Sequence, residues 1–473
     1  MKAKEGILFT EGSILKHLIS FAVPMAIGYT LYMGYSIINT LWIGNLLGEQ
    51  ALAASSVSFI LTNVLMSLVS GITLATSILI ARYYGEGNSE NVTKTVVNSY
   101  YLMILLDVIV LVVGIWKSTY FLKLLGTPPE ILGIALQYFR ISVFSFVFMY
   151  LFFLLNAMLR GIGDSRTSMY FMGISVVINA ILDPFLIAGT GFGNFKGIGL
   201  NGAAYASLLA QGFSSLFLIF YVHTKNKTFH IKLKQFRIHL KTINKILKVG
   251  IPNVLQQLFF SIGITFVSSY LIAFGVQTIA AFGAASKLDI IASILALSIG
   301  SAVTTITAQN LGANRPERVN EVFKYGMRSA VTVALIMGII IFCFPAAILS
   351  LFLNERPAIN IGICYLRIMS LSYCAVLVTS VIQGIFNGTG KTIIAMASSI
   401  ISLWAVRIPL SGILSGTELG STGIWLAMLI SNAFNMTLSW ILYKSNLLKN
   451  IKLMLGPCIK LCKYFNKKSG AAN

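Results

Sequence analysis

One aspartate stands beside a proline inside an apolar stretch, in the segment NAILDPFLI at residues 179–187. Asn179 precedes Asp183 by four residues, so a helix would place both side chains on one face. Pro184 has no N–H and its ring clashes with the carbonyl of Ala180, which can leave that carbonyl available as a ligand. A carboxylate, an amide oxygen and a carbonyl are hard oxygen ligands suited to Na⁺ or to a proton relay. Pro184 also weakens the helix and is a predicted hinge.

The composition of the chain predicts that this carboxylate lies inside a membrane. Of its 473 residues 56% are hydrophobic and only 10% are charged, and the mean hydropathy is +0.83. Apolar segments of about 20 residues recur, each long enough to cross the hydrocarbon core as a helix. Their length and continuity favour helices over a membrane β-barrel. We predict an all-α polytopic membrane protein with transmembrane helices at 17–44, 53–80, 96–118, 130–158, 168–190, 199–222, 249–274, 280–310, 326–353, 358–386, 393–415 and 421–444.

The formal net charge of +21 could indicate a nucleic-acid-binding protein, but its distribution argues against that. With the N-terminus in the cytoplasm, the termini and even-numbered connections, counted with the span ends that adjoin them, hold 27 of the 35 lysines and arginines. This asymmetry is the positive-inside rule. The sequence therefore predicts a multi-pass plasma-membrane protein with both termini cytoplasmic, and no nucleic-acid partner.

The two halves of the chain repeat each other at a constant offset of 227 residues. LLGEQALAA at 46–54 aligns with AFGVQTIAA at 273–281, and ARYYGEGNSENV at 81–92 aligns with AQNLGANRPERV at 308–319. Six spans per half preserve orientation, so the predicted fold is two six-helix bundles related by a pseudo-two-fold axis along the membrane normal. That architecture suits alternating access. The predicted divisions are an N-terminal lobe at 1–222, a cytoplasmic basic connection at 223–248, a C-terminal lobe at 249–445 and a basic cytoplasmic tail at 446–473.

The basic connection between the halves has two interpretations. Phe236, Leu240, Ile243 and Leu247 recur at helical spacing against a lysine- and arginine-rich face. This pattern is typical of an amphipathic helix on an anionic membrane surface. A solvated linker explains the composition equally well.

Residues for enzymatic chemistry are missing from the sequence. There is no Walker-type phosphate loop, nucleophile elbow or His-Glu-x-x-His segment. The five cysteines and four histidines do not have the spacing of a metal site. We therefore expect no enzyme activity, no cofactor, and no metal beyond Na⁺ at Asp183.

Several motifs together resemble the multidrug and toxic compound extrusion (MATE) family. They are Pro24 in the first helix, NTLWIGNLLGEQALAA after it, ARYYGEGN and AQNLGANRPE closing the second and eighth helices, and NAILDPFLI in the fifth. The similarity covers residues 15–445. It implies a twelve-helix, two-lobed secondary exporter of amphipathic, mostly cationic drugs or toxins by antiport with Na⁺ or H⁺. It also implies a coupling site in the N-terminal lobe, as in prokaryotic branches of the family.

Three acids lie within the predicted spans, namely Asp107, Asp183 and Asp289. Intramembrane acids cost several kcal/mol by insertion scales, so each is a functional candidate. Asp183 is the strongest candidate. Its distance from the outer end of the fifth helix is similar to the distance of Asn39 from the outer end of the first helix. Asn39 is the predicted partner, with a simple interhelical hydrogen bond as the alternative. In the resembling family this position is often an aspartate, so here the site has one carboxylate.

The second half is predicted to lack this site. When the prolines of the repeat are matched, Pro184 corresponds to Pro409 and Asp183 to Ile408, with Arg407 beside it. Coupling is therefore expected in the N-terminal lobe alone. Tyr35, one turn before Asn39, is a candidate for the substrate cavity, and so are Gln256 and Gln257 after Pro252; interhelical packing is the alternative for all three.

Two other transport functions compete with a drug exporter. A lipid-linked oligosaccharide flippase of the same superfamily would use a cationic cavity, and the spans contain Arg140, Lys287, Arg367 and Arg407. A passive channel fits poorly because the sequence has no charged ring or filter-like segment. A carrier of small substrates that acts as a monomer in the lipid bilayer is the favoured interpretation.

Overall fold

The computed structural model describes residues 6–189, 196–225, 227–229, 235–353 and 355–445. Over these ranges the chain is helical and contains no strand. A 3₁₀ turn covers Lys227–Phe229, and a π-helix covers Ile401–Arg407. The α-helices are α1 Ile14–Leu47, α2 Glu49–Gly85, α3 Ser89–Trp116, α4 Ser118–Leu124, α5 Pro129–Gly161, α6 Ser165–Ala188, α7 Leu200–Lys225, α8 Leu240–Ile272, α9 Gly275–Gly312, α10 Pro316–Cys343, α11 Pro345–Leu349, α12 Arg356–Gly388, α13 Thr392–Ile400, α14 Ile408–Ser415 and α15 Ser421–Lys444.

The twelve predicted membrane helices are confirmed. Twelve helices among the described residues are long and apolar enough to span a bilayer, with α13, the π-helix and α14 together forming the eleventh. The ninth was misplaced in the sequence analysis, which put it at 326–353. It begins at Pro316 and ends at Cys343 because Pro345 cannot continue the helix and starts the short α11.

The connection between the halves is shorter than its predicted range of 223–248. Helix α7 continues to Lys225, and α8 begins at Leu240. Ile246 is buried against α2, with Ile243 and Leu247 partly buried beside it. Residues 240–248 are therefore the first turns of a membrane helix rather than a separate amphipathic helix. The prediction for residues 226 and 230–234 lies outside the described residues.

The repeat is visible in the backbone and in the packing. Gly48 joins α1 to α2 with φ of 77°, and Gly275 opens α9 with φ of 83°, a left-handed conformation that favours glycine. The central helix α5 packs on α2 and α7, just as α12 packs on α9 and α15. Each half has its own apolar core around its central helix, so each is a separate lobe.

The lobes meet along α1 and α2 of the first half and α8 and α9 of the second. Helix α2 packs on α8, and α1 packs on α9. The pseudo-two-fold axis relates these two contacts to each other. The Ser70 hydroxyl donates to Asn253 Oδ1 at 3.1 Å across this interface. At the ends of α2 and α9 the backbones nearly touch. A Cβ on Gly85 would lie 2.1 Å from the Gln309 carbonyl oxygen, and one on Gly312 would lie 1.9 Å from that of Arg82.

An extended segment before α1 ties these helix ends together. We call residues 6–13 the N-terminal strap. The Ile7 N–H donates to the Ile162 carbonyl of the first lobe at 2.8 Å. Gln309 of the second lobe accepts from the Phe9 N–H at 2.9 Å and donates to the Gly161 carbonyl at 3.2 Å. The strap therefore hydrogen-bonds to both lobes.

Two arginines hold the other end of the strap. Arg315 Nη1 donates to the Thr10 carbonyl at 2.6 Å, and Arg318 Nη2 donates to the Gly12 carbonyl at 2.9 Å. The Phe9 side chain is buried in the apolar cluster that α1 forms with α9. Hydrogen bonds from charged donors contribute about 1.5–3 kcal/mol each. The strap thus stabilises contact between the lobes at this end.

The apolar packing between the lobes is concentrated at the strap end. The apolar clusters shared by both lobes contain α1 only as far as Tyr29 and α2 only from Ile72 onward. Together with the strap, these clusters close the molecule at this end.

Candidate functional site

Asp183 lies in α6 with no exposed surface. The Asn179 side chain, one turn earlier, donates from Nδ2 to Asp183 Oδ1 at 3.2 Å. The pair predicted from the spacing is therefore brought together by the helix. Asn179 is itself fully buried, so the carboxylate and the amide are both out of water.

Three side-chain oxygens at this site, two from the Asn179–Asp183 pair and one from Asn39, have no hydrogen-bond partner among the described residues. Asp183 Oδ2, Asn179 Oδ1 and Asn39 Oδ1 are buried, and none accepts a hydrogen bond from any residue that the structure describes. Leaving a buried acceptor unsatisfied costs about 1–3 kcal/mol, and more when it is charged. A cation bound here would give such oxygens a partner, and a proton would neutralise the Asp183 carboxylate.

Tyr138 of α5 connects Asn39 with Asp183. The Asn39 side chain lies next to the Tyr138 hydroxyl, and this hydroxyl is within electrostatic range of Asp183. Asn39 and Asp183 are therefore near the same tyrosine rather than bonded to each other. Tyr138 was not predicted from the sequence. It stands two residues before Arg140, whose counterpart at the repeat offset of 227 is Arg367.

A cavity of about 10 Å³ lies beside this cluster. That is roughly the space that one water-sized particle needs. Two of its lining oxygens, Ser175 Oγ and Gln211 Oε1, have no hydrogen-bond partner in the described part of the chain. Tyr35 also lines it, donates to Ser207 Oγ at 2.6 Å, and is within electrostatic range of Asp183. The substrate-cavity candidate Tyr35 thus belongs to the surroundings of Asp183.

Pro184 does not interrupt α6. The helix continues through it to Ala188, where Gly189 caps it in a left-handed conformation with its N–H on the Phe185 carbonyl at 2.9 Å. Only one turn follows the proline. A bend at Pro184 would therefore reorient this last turn and the connection to α7, and the hinge stays a prediction.

The two glutamines differ in their surroundings. Gln256 donates to Ser399 Oγ at 3.0 Å, and Gln383 donates to the same hydroxyl at 2.8 Å. Gln256 thus joins α8 to α13 within the second lobe, in line with the packing alternative. Gln257 is exposed on α8.

The second lobe contains a half-buried acid that the matched prolines did not indicate. Asp289 of α9 accepts hydrogen bonds from Tyr365 and Tyr373 of α12. Arg407, at the end of the π-helix, lies within electrostatic range of Asp289. The eleventh span has Ile408 where the fifth has Asp183, as the repeat predicted. The acid of the second lobe, Asp289, comes from α9 instead.

Comparison with known proteins identifies the family. The MatE family model matches residues 24–185 and 249–413, one segment in each half. The chain belongs to the MATE family. Probable multidrug resistance protein YoeA of Bacillus subtilis (strain 168) is 30% identical to it over 440 residues, covering 92% of this chain and 94% of that protein. Probable multidrug resistance protein YpnP of the same organism is 29% identical over 451 residues, covering 94% and 98%.

Solved structures agree with this MATE fold. The crystal structure of MATE in the straight conformation is 25% identical, has a TM-score of 0.86 and covers 93% of this chain and 97% of that one. The MATE chain described here is therefore a transporter and not an enzyme, and it is a multi-pass protein of the plasma membrane. No metal-ligand cluster of three or more His, Cys, Asp or Glu occurs in the ranges that the structure covers.

Proposed function

We propose that this MATE transporter exports small amphipathic, mostly cationic compounds by antiport with Na⁺ or H⁺ at Asp183. The observation that carries the proposal is the set of unpaired oxygens on Asp183, Asn179 and Asn39. The names of the relatives, which describe multidrug resistance, support export of drugs. Both lobes that line the substrate path belong to one chain, so a monomer is sufficient for transport.

The transport cycle follows from the charge of Asp183. A carboxylate buried in an apolar lobe is unfavourable unless a cation or proton neutralises it. Uptake of the ion from outside satisfies the open oxygens and favours a repacked N-terminal lobe that releases the drug. Loss of the ion to the cytoplasm recharges Asp183 and resets the lobe.

The orientation of the protein in the membrane decides on which side the lobes are closed. If the strap is cytoplasmic, as the distribution of lysine and arginine implies, the lobes are closed against each other on the cytoplasmic side. We expect a cysteine placed at Tyr120 to react with an impermeant thiol reagent from outside, and one placed at Gln235 to react only from the cytoplasm. The measurement is labelling of intact cells against inverted vesicles. Labelling of the Gln235 position in intact cells would refute this orientation.

The antiport itself is tested in proteoliposomes. A cationic dye should leave the vesicles faster when an inward Na⁺ gradient or an inward proton gradient is imposed, and the rate should saturate with dye. Counterflow of unlabelled substrate should accelerate it, as for a carrier. Competition by a lipid pyrophosphate instead of a cationic drug would favour the flippase, and flux without saturation or counterflow would favour a channel.

A further inference from the structure

A groove of about 580 Å³ runs along the first turns of α1, at the strap end of the molecule. One wall is formed by the chain from Ser13 to Pro24, and the other side is bordered by Arg166, the second residue of α6. At 1.5 Å per residue the wall is about 16 Å long. One turn beyond Pro24 the two helices come together, since a Cβ on Gly28 would lie 3.6 Å from Met169 Cα. The groove is therefore confined to the start of α1 and α6.

An apolar row on α1 lines this groove. Leu15, Ile19 and Val23 are spaced by four residues, so their side chains follow one another along one helix face. Ile19 is 53% exposed and Val23 is 51% exposed, which leaves about half of each side chain free for contact with another molecule. The row leads from the start of a membrane-spanning helix toward the middle of the span. It can therefore bind an acyl chain that lies along the helix.

Two cationic side chains stand at the same groove. Lys16 and Arg166 are both exposed, and no carboxylate lies within 4 Å of either among the residues that the structure describes. The acids that are nearest to them in sequence have other partners. Glu11 forms an ion pair with Arg315 at 3.3 Å, and Asp164 accepts a backbone hydrogen bond as the N-cap of α6. The groove thus carries two positive charges that no acid compensates.

We propose that this groove is a binding site for an anionic phospholipid of the cytoplasmic leaflet. The phosphate lies between Lys16 and Arg166, and one acyl chain follows the row from Leu15 to Val23. Basic pockets between transmembrane helices on the cytoplasmic side are typical binding sites of anionic headgroups. A cationic drug is a poor occupant because both charged side chains would repel it. The inference goes beyond the proposed export and does not depend on coupling at Asp183.

Removal of the two charges is the direct test. Purified protein in detergent is titrated with phosphatidylglycerol or with phosphatidylcholine, and bound lipid is counted by native mass spectrometry. The wild type should bind one phosphatidylglycerol more tightly than phosphatidylcholine. Lys16→Gln/Arg166→Gln should bind phosphatidylglycerol about 30-fold more weakly, because each basic residue near a membrane surface attracts an anionic lipid.

Lys324→Gln/Arg328→Gln is the matched control, since it removes the same charge from exposed positions on α10. Its affinity for phosphatidylglycerol should stay close to that of the wild type. An equal loss in both double variants, or a wild type that does not distinguish the two lipids, would overturn the proposal.

The shape of the groove is tested without a change of charge. Val23→Trp places a larger side chain in the groove and should weaken binding of phosphatidylglycerol, while the thermal unfolding temperature in lipid-free detergent stays at the wild-type value. Glycerol phosphate, which has the headgroup chemistry without acyl chains, should not compete. Competition by glycerol phosphate would indicate a site for free phosphate, and displacement of the lipid by a cationic dye would indicate a drug portal. Either result would contradict a lipid site.

A measurement on the wild-type protein alone covers the case in which a variant folds poorly. Phosphatidylglycerol with a photoreactive acyl chain is incorporated into vesicles together with the transporter and is then irradiated. The crosslink should map to the segment of α1 that contains Ile19 and Val23, and an excess of phosphatidylglycerol should suppress it more than an excess of phosphatidylcholine. Crosslinks that avoid this segment would refute the site.

Discussion

Asp183→Asn should reduce gradient-driven dye efflux to the rate of protein-free vesicles. The amide cannot be charged, so the site loses the alternation between a charged and a neutralised state that couples the ion to the lobe. An asparagine fills the same space and can still bond to Asn179, so the variant should fold and bind substrate. Efflux at the wild-type rate under a Na⁺ or a proton gradient would refute coupling at Asp183.

Asn39→Ala is the matched comparison in the same cluster. It removes one of the unpaired oxygens but leaves the carboxylate, so transport should be impaired less than in Asp183→Asn. Substrate binding by both variants, measured without a gradient, should stay close to wild type. If Asn39→Ala stopped transport completely while Asp183→Asn did not, the roles of the two residues would be reversed.

Gly312→Ala should slow transport by acting at the strap end of the molecule. The new Cβ would lie 1.9 Å from the Arg82 carbonyl oxygen, so the ends of α2 and α9 must separate. Overpacking of this kind costs about 1–3 kcal/mol, which corresponds to a roughly 5- to 150-fold shift between closed and open states. We expect slow efflux and faster reaction of a cysteine at Gln309 with a thiol reagent from the strap side.

Gly283→Ala is the control on the same helix. No atom lies within 4 Å of its added Cβ, and alanine is the better helix former, so transport and stability should be unchanged or slightly improved. Equal activity of Gly312→Ala and Gly283→Ala would show that close approach of the helix ends is not needed for the cycle.

Contacts set by spacing along one helix could be predicted from the sequence. The Asn179–Asp183 bond needs only a separation of four residues in a helix. The repeat offset of 227 makes Gly85 and Gly312 counterparts, but the close approach of their helix ends is visible only in the structure. Helix ends were predicted poorly where a helix extends beyond its apolar run, as at Leu240 and Pro316, and where a proline stops the helix inside the run, as at Pro345.

Contacts between helices could not be predicted, because they depend on how each helix is rotated and tilted. Tyr138 is one aromatic residue among many in α5, and nothing in its sequence neighbourhood points it toward Asn39 and Asp183. The bonds from Tyr365 and Tyr373 of α12 to Asp289 of α9 were missed for the same reason, because these helices are far apart in sequence. Within the repeat, however, Tyr138 and Tyr365 could have been found together.

The strap has a consequence for biosynthesis. Residues 6–13 leave the ribosome early, yet Gln309, Arg315 and Arg318, which bind them, are made about 300 residues later. At the synthesis rate of roughly 5–20 residues per second, the strap waits for at least about 15 seconds without its second-lobe partners. The nascent first lobe therefore inserts without these contacts, which form only after the eighth membrane helix and the start of the ninth have been made. A bulky fusion placed before residue 6 would burden this late docking step.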